Sequence, residues 1–186
     1  MLPLENPKVT SEYGIIRSDK KLHKGIDLIS MSGDRNVKAI RSGVVRVTPY
    51  DKDGFGNYIS MQQKDGFRAL YCHLEKILVK PGDTIEEGQV IGVEGTSGNS
   101  TGVHLHLELR KAPYDIGDHI NVAEYLKIKN QKGKVEYIGS EDGTMTREDY
   151  EKIIKDKSGI DDNSIKYLEL YRYGDDLIRK LAEAMK

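Results

Sequence analysis

The stretch VHLHLELR, residues 103–110, reads as a β-strand with two unlike faces. Side chains alternate along a strand, so His104, His106 and Glu108 share one side while Leu105, Leu107 and Leu109 share the other. The leucine face requires a core beneath it. The other face gathers two imidazoles two residues apart, and a metal ion is the commonest reason to bring neutral imidazoles into one small volume. The competing reading of an isolated H-x-H is a solvated polar strand face, and Glu108, in phase with both histidines, either orients a ligand imidazole or is solvated with them.

The same strand character recurs upstream in KGIDLIS (24–30), NVKAI (36–40), GVVRVTPY (43–50), NYISMQQ (57–63), FRALYCHL (67–74) and QVIGVEG (89–95), each bounded by Gly, Pro or Asp turn signals. NYISMQQ and FRALYCHL are joined through Lys64, Asp65 and Gly66, where Asp-Gly supplies the backbone angles of a tight hairpin turn. The expected fold is therefore mainly β: an antiparallel, sandwich-like domain over residues 1–128. A polar, glycine-punctuated linker follows over 129–145, within which VEYIG can add a short strand. Residues 146–186 read as a small C-terminal helical appendage. Thr146 and Asp149 have capping-box spacing, Tyr150, Ile153 and Ile154 share a helical face, and Ser164 can cap a second helix. Leu177, Ile178, Leu181 and Met185 keep the spacing of an amphipathic stripe. So short a segment cannot bury a core alone, so self-association through 146–186 or docking on a partner is expected.

Within 186 residues, 29 Lys and Arg stand against 30 Asp and Glu, so no overall field points to nucleic acid or an anionic membrane. A peptide or polymeric substrate fits better. No apolar run approaches the roughly 20 residues of a membrane span. The start, MLPLENPKVT, lacks the basic and apolar regions of a secretory signal. The single cysteine, Cys72, excludes a disulfide within the chain. Phosphate loops, nucleophile elbows and dinucleotide fingerprints are absent.

Two further segments carry chemistry. In HKGID, His23 and Asp27 offer a nitrogen and an oxygen four residues apart, with Gly25 between them allowing close backbone approach. In YCHL, His73 ends an apolar strand, and strand alternation puts Tyr71 on its side and Cys72 on the other, in the core.

In the order H-x-x-x-D, Y-x-H, H-x-H within a glycine-rich β domain, these residues resemble the lysostaphin and LytM-type zinc endopeptidases. The resemblance covers roughly residues 8–112, including SEYGIIR, HKGIDL, KAIRSGVV, GNYISM, YCHL, VKPGDTIEEGQVIGVEGTSGNSTG and HLHLEL. It implies one zinc ion per chain held by His23, Asp27 and His106, with a fourth position for water, and His73 and His104 as catalytic residues that do not bind metal. The implied activity is hydrolysis of amide bonds in the cross-linking peptides of peptidoglycan. Tyr71 and the loop GTSGNSTG, with Ser97 and Asn99, are expected to contact the substrate peptide. His119 lies beyond the matching region and is expected at the surface or in a cap.

Two other readings compete. Some members of the resembled family have lost ligands and act as regulators or wall-binding modules, whereas this sequence keeps all five of His23, Asp27, His73, His104 and His106. VKPGDTIEEGQVIGVEG also resembles a biotinyl- or lipoyl-carrier hairpin, but the lysine at the hairpin tip is missing and four histidines go unexplained. The biological setting expected is a phage or prophage lysin acting on the bacterial cell wall, delivered by a pore or virion unless a signal has been removed.

Overall fold

In the computed structural model, residues 1–17, 20–114 and 118–138 are described. Their elements, in order, are β1 (Pro7–Ser11), β2 (Ile26–Ser30), β3 (Asn36–Lys38), β4 (Gly43–Val47), β5 (Tyr50–Asp51), β6 (Gly56–Gln63) and β7 (Arg68–Leu74). β8 (Lys76–Ile77), β9 (Thr84–Ile85), β10 (Val90–Val93), β11 (Leu105–Arg110), β12 (His119–Ile120), α1 (Val122–Leu126) and β13 (Gly133–Lys134) follow. The main sheet runs β13-β1-β2-β11-β7-β6-β4-β9, with β12 beside β11 and β5 beside β6, and a smaller sheet runs β3-β10-β8. The pairings between these strands are antiparallel, so the mainly β expectation holds, and among the described residues helix is confined to the single turn of α1.

All seven strands expected from the sequence are present, most of them trimmed at their ends, while β6 gains Gly56 and the Tyr50 end of GVVRVTPY falls in β5. The 64–66 turn closes as expected: Gly66 has φ +92°, and Gln63 N–H donates to Phe67 O at 2.8 Å across it. β1 was not expected, because Pro-Lys-Val-Thr-Ser offers a single buried aliphatic, Val9; a proline at the first position of a strand costs the ladder little. In the segment expected as a linker, β13 pairs with Lys8 and Val9 of β1, and Met1–Glu136 makes up one compact unit. Residues 139–145 and the expected helices of 146–186, with their caps and apolar stripe, lie outside the described residues.

The core explains where the site can form. Leu105, Leu107 and Leu109 are fully buried and meet Ile26 and Leu28 of β2 and Tyr71 and Ala69 of β7. Burying each of these aliphatic side chains is worth about 1.5–3 kcal/mol, which fixes the register, since a one-residue slip would turn all three leucines to the other face. Once they face inward, alternation sends His106 and Glu108 outward. Among the described residues no helix is long and apolar enough to cross a membrane.

Candidate metal centre and cleft

Register brings the first two groups together. Asp27 on β2 lies directly opposite His106 on β11, and opposed residues of an antiparallel pair project to the same face. His106 Nδ1 stands 2.7 Å from Asp27 Oδ1. His23 enters from the turn before β2, where its N–H donates to Ile15 O at 2.8 Å and its carbonyl accepts from Gly14 N–H at 2.8 Å. Its Nε2 lies 3.1 Å from Asp27 Oδ1 and 3.1 Å from His106 Nδ1. Gly25 is the close-approach glycine: a Cβ there would lie 2.5 Å from Leu107 O and 2.7 Å from His106 Cε1.

The outer nitrogens settle where the protons are. His23 Nδ1 is 2.6 Å from Glu12 O, a carbonyl that can only accept, so it carries the proton, and its inward Nε2 is a lone pair. His106 Nε2 is 3.2 Å from Glu108 Oε1, and Glu108 is in turn gripped by Arg110 Nε at 3.1 Å and Nη2 at 2.8 Å. Burial resists the charge on Glu108, but His106 and Arg110 outweigh it and hold its carboxyl down to about 2. An ionised carboxylate accepts, so His106 carries its proton on Nε2 and turns Nδ1 inward. Phe55 stacks on the His106 ring at 6.0 Å and 21°.

His23 Nε2, His106 Nδ1 and Asp27 Oδ1 thus face one another within about 3 Å, buried, with both outer nitrogens already on acceptors. That arrangement calls for positive charge at its centre. Without a metal ion a proton supplies it: burial opposes a charge on His106, yet Asp27 and Glu108 raise its pKa to about 9, so Nδ1 then carries a proton toward Asp27 that a metal ion would displace. At Asp27 burial is outweighed by the neighbouring His106 and His23, which hold it far below the usual carboxylate range. His23, Asp27 and His106 form a group able to hold a metal ion, with two nitrogens and one oxygen, the donor set and number of a catalytic zinc site with an open position. Arg17 donates to the remaining oxygen, Asp27 Oδ2, which leaves Oδ1 as the ligating atom.

His104 and His73 stand beside this group, their rings 4.8 Å apart. His104 Nδ1 donates to Gly102 O at 2.8 Å, and Nε2 lies 3.8 Å from Asp27 Oδ1, farther than either ligand candidate. His73 Nδ1 donates to Ser97 O at 2.9 Å, leaving Nε2 bare. Burial first, then the neighbouring imidazoles, against the help of the Ser97 carbonyl, lower the His73 pKa to about 4, so this imidazole is neutral at pH 7 and able to accept a proton.

Two expectations need correction. Tyr71 does not face the cleft: it is fully buried in the core, with its hydroxyl accepting from Ile40 N–H at 3.0 Å. The alternation that paired it with His73 breaks at His73 itself, whose φ of +62° is left-handed, beside a register shift between β6 and β7. Cys72 is opposite His106 and on its face of the sheet, buried beneath the site instead of filling the core on the far side. Burial, with the Glu108 carboxylate next, pushes its thiol well up, so it is protonated and a poor ligand. Ser97 and Asn99 part company. The Ser97 hydroxyl donates to Leu74 O at 2.7 Å and accepts from Asn57 N–H at 2.9 Å, building the wall that holds His73, whereas Asn99 lines the open cleft. His119, on β12, has its ring 6.0 Å from that of Tyr13, away from the four clustered histidines. Arg17, Phe55 and Arg110 went unmarked in the sequence, the last despite following Glu108 at i+2 on the same strand face.

The cleft over these groups has a volume of about 540 Å³, suited to a short stretch of peptide. Compared with known proteins, residues 21–122 match the model of Peptidase family M23. Lysostaphin of Staphylococcus simulans is 41% identical over 88 residues, 47% of this chain and 18% of that protein. The peptidoglycan DD-endopeptidase ShyC of Vibrio cholerae is 33% identical over 111 residues, 57% of this chain and 25% of that protein. The chain thus spans about a quarter or less of these relatives' length. Among solved structures, the catalytic domain of lysostaphin superposes with a TM-score of 0.61 at 34% identity, covering 66% of this chain and 93% of that one. A zinc containing peptidase of Vibrio cholerae superposes with a TM-score of 0.51 at 28% identity, covering 58% of this chain and 35% of that one.

Proposed function

Because the chain belongs to Peptidase family M23, we propose that it is a zinc metalloendopeptidase hydrolysing amide bonds in the cross-linking peptides of peptidoglycan, and so acting on the bacterial cell wall. The observation that carries this reading is the convergence of His23 Nε2, His106 Nδ1 and Asp27 Oδ1, with both ligand imidazoles locked by acceptors on their outer nitrogens. In this reading those three atoms hold one zinc ion, which when bound supplies Lewis acidity and brings the pKa of water toward about 7.

The chain's own groups do the rest. His73 Nε2, neutral at pH 7, suits the acceptor of the attacking water's proton. His104 stands across from it, to steady the charge that grows on the carbonyl oxygen or to return a proton to the leaving amine. Asn99, on the rim, can hydrogen-bond the extended peptide. The Arg110–Glu108 pair holds the His106 tautomer, so Glu108→Gln is expected to weaken zinc affinity by roughly 10- to 100-fold, read by competition with a chromophoric chelator. An unchanged affinity would show that His106 needs no such support.

The reading is tested on the full chain. Near one zinc per chain by elemental analysis, release of new amino termini from purified wall, loss of that release with a chelator and its return with zinc are the expected results. Hydrolysis that persists through complete zinc removal would refute it, and zinc without hydrolysis would favour a silent, regulatory member of the family.

A further inference from the structure

The two oxygens of Asp27 have separate partners. Oδ1 faces His23 Nε2 at 3.1 Å and His106 Nδ1 at 2.7 Å, while Oδ2 accepts from Arg17 Nη2. The backbone beneath the carboxylate is fixed as well: Asp27 is opposite Ser11 on β1 and His106 on β11, and the Thr10 hydroxyl donates to its carbonyl at 3.2 Å. Arg17 reaches the carboxylate from the same hairpin that delivers His23. There Arg17 N–H donates to Lys21 O at 2.9 Å, Ile16 bridges to Leu22, and His23 N–H donates to Ile15 O at 2.8 Å. One short ladder therefore sets both a ligand imidazole and the guanidinium that meets the ligand carboxylate.

A carboxylate can give a metal ion one oxygen or both. The guanidinium N–H on Oδ2 makes a charge-assisted bond to the oxygen that two-point coordination would need, and the Asp27 side chain, 8% exposed, has little water with which to replace that bond. Resting on the zinc peptidase reading above, we propose that Arg17 is a positioning residue for the metal: it holds Asp27 to coordination through Oδ1 alone and so keeps a position open for water. A second oxygen on the ion would crowd that position and, by adding negative charge, weaken the pull of the ion on bound water. Arg17 acts through Asp27 and not on the substrate. Its side chain is 41% exposed, so solvent screens part of its hold, and the effect falls at the lower end of the range for such supporting contacts, about tenfold.

The test uses the full chain and Arg17→Met, which keeps an unbranched stem without charge or donors, with Arg17→Lys beside it. Each is loaded with cobalt(II) in place of zinc, because the visible absorption of cobalt(II) is strong in four-coordinate sites and weaker when a further ligand atom joins. Arg17→Met is expected to lose cobalt absorption, to bind zinc about tenfold more weakly in chelator competition, and to lower kcat about tenfold with KM near the wild-type value. Arg17→Lys, whose ammonium can still donate to Oδ2, should restore most of the absorption and affinity. Unchanged cobalt absorption in Arg17→Met overturns the proposal whatever happens to the rate; if KM then rises, Arg17 is a substrate contact instead. The expected change in absorption, from a wild type that cuts no wall peptide, upholds the positioning role while sinking the peptidase reading.

Discussion

His106→Ala and Asp27→Ala are each expected to abolish stoichiometric zinc binding and wall hydrolysis together. Each removes one of three converging atoms, leaving two, and the loss should exceed the roughly 100-fold in affinity that follows when only a supporting hydrogen bond is removed. The two variants differ in what remains. Without Asp27, Arg17 loses its partner and two imidazole lone pairs face each other 3.1 Å apart. Without His106, the Asp27 carboxylate keeps His23 and Arg17, but Glu108 keeps only Arg110. Zinc at a thousand times its dissociation constant stabilises a fold by about 4 kcal/mol. In a chain of this size that is on the order of 10 °C in melting temperature. The wild type should therefore lose about that much on chelation, while each variant starts near the chelated value and no longer responds to chelator. Elemental analysis and a melting curve read both effects. Full zinc occupancy with wild-type hydrolysis in either variant would remove it from the ligand set.

The part of this site that was legible in the sequence is the part that strand periodicity governs. Three alternating leucines fix which face of β11 is buried, and that alone puts His106 and Glu108 on the other face. Asp27 is marked by its spacing from His23, and in the structure it obeys the same alternation, flanked by Ile26 and Leu28, both fully buried. The role of Glu108 stayed open between an orienting and a solvated residue, because sequence does not show depth; in the structure it is 3% exposed and bonded to His106.

What the sequence hid has two physical sources. The first is a break in periodicity. A left-handed backbone at a histidine has no marker of its own, unlike the glycine at position 66, so counting by twos through Tyr71, Cys72 and His73 assigned Tyr71 to the cleft and Cys72 to the core side. The second is long-range reach from irregular segments. Arg17 meets Asp27 from a turn region, and Ser97 holds His73 from a loop 24 residues away, contacts set by the fold around them and by no local pattern. The same holds for the two-residue strands β5, β8, β9, β12 and β13, which exist because a longer partner passes beside them.

His73→Ala and His104→Ala are expected to separate metal from chemistry: zinc stays bound near one per chain while hydrolysis falls by roughly 100-fold or more, the usual scale for a lost proton-transfer or oxyanion group. Geometry supports the separation. Neither ring belongs to the group of three that can hold the ion, and His104 Nε2 stands 3.8 Å from Asp27 Oδ1 where His106 Nδ1 stands at 2.7 Å. The two variants should also differ from each other. His73 is held by Ser97 O in a left-handed backbone near the end of β7, with only 7% of it exposed, so its loss opens a gap in the wall and costs some stability. His104 is bonded to the adjacent Gly102 carbonyl at the mouth of the loop, and its loss should leave the melting temperature nearly unchanged. If His73 receives the proton, its variant loses kcat more than KM, and an exogenous base such as imidazole partly restores the rate. Zinc lost from His104→Ala but retained by His106→Ala would mean that the two histidines of the H-x-H strand exchange roles, with His104 as the ligand.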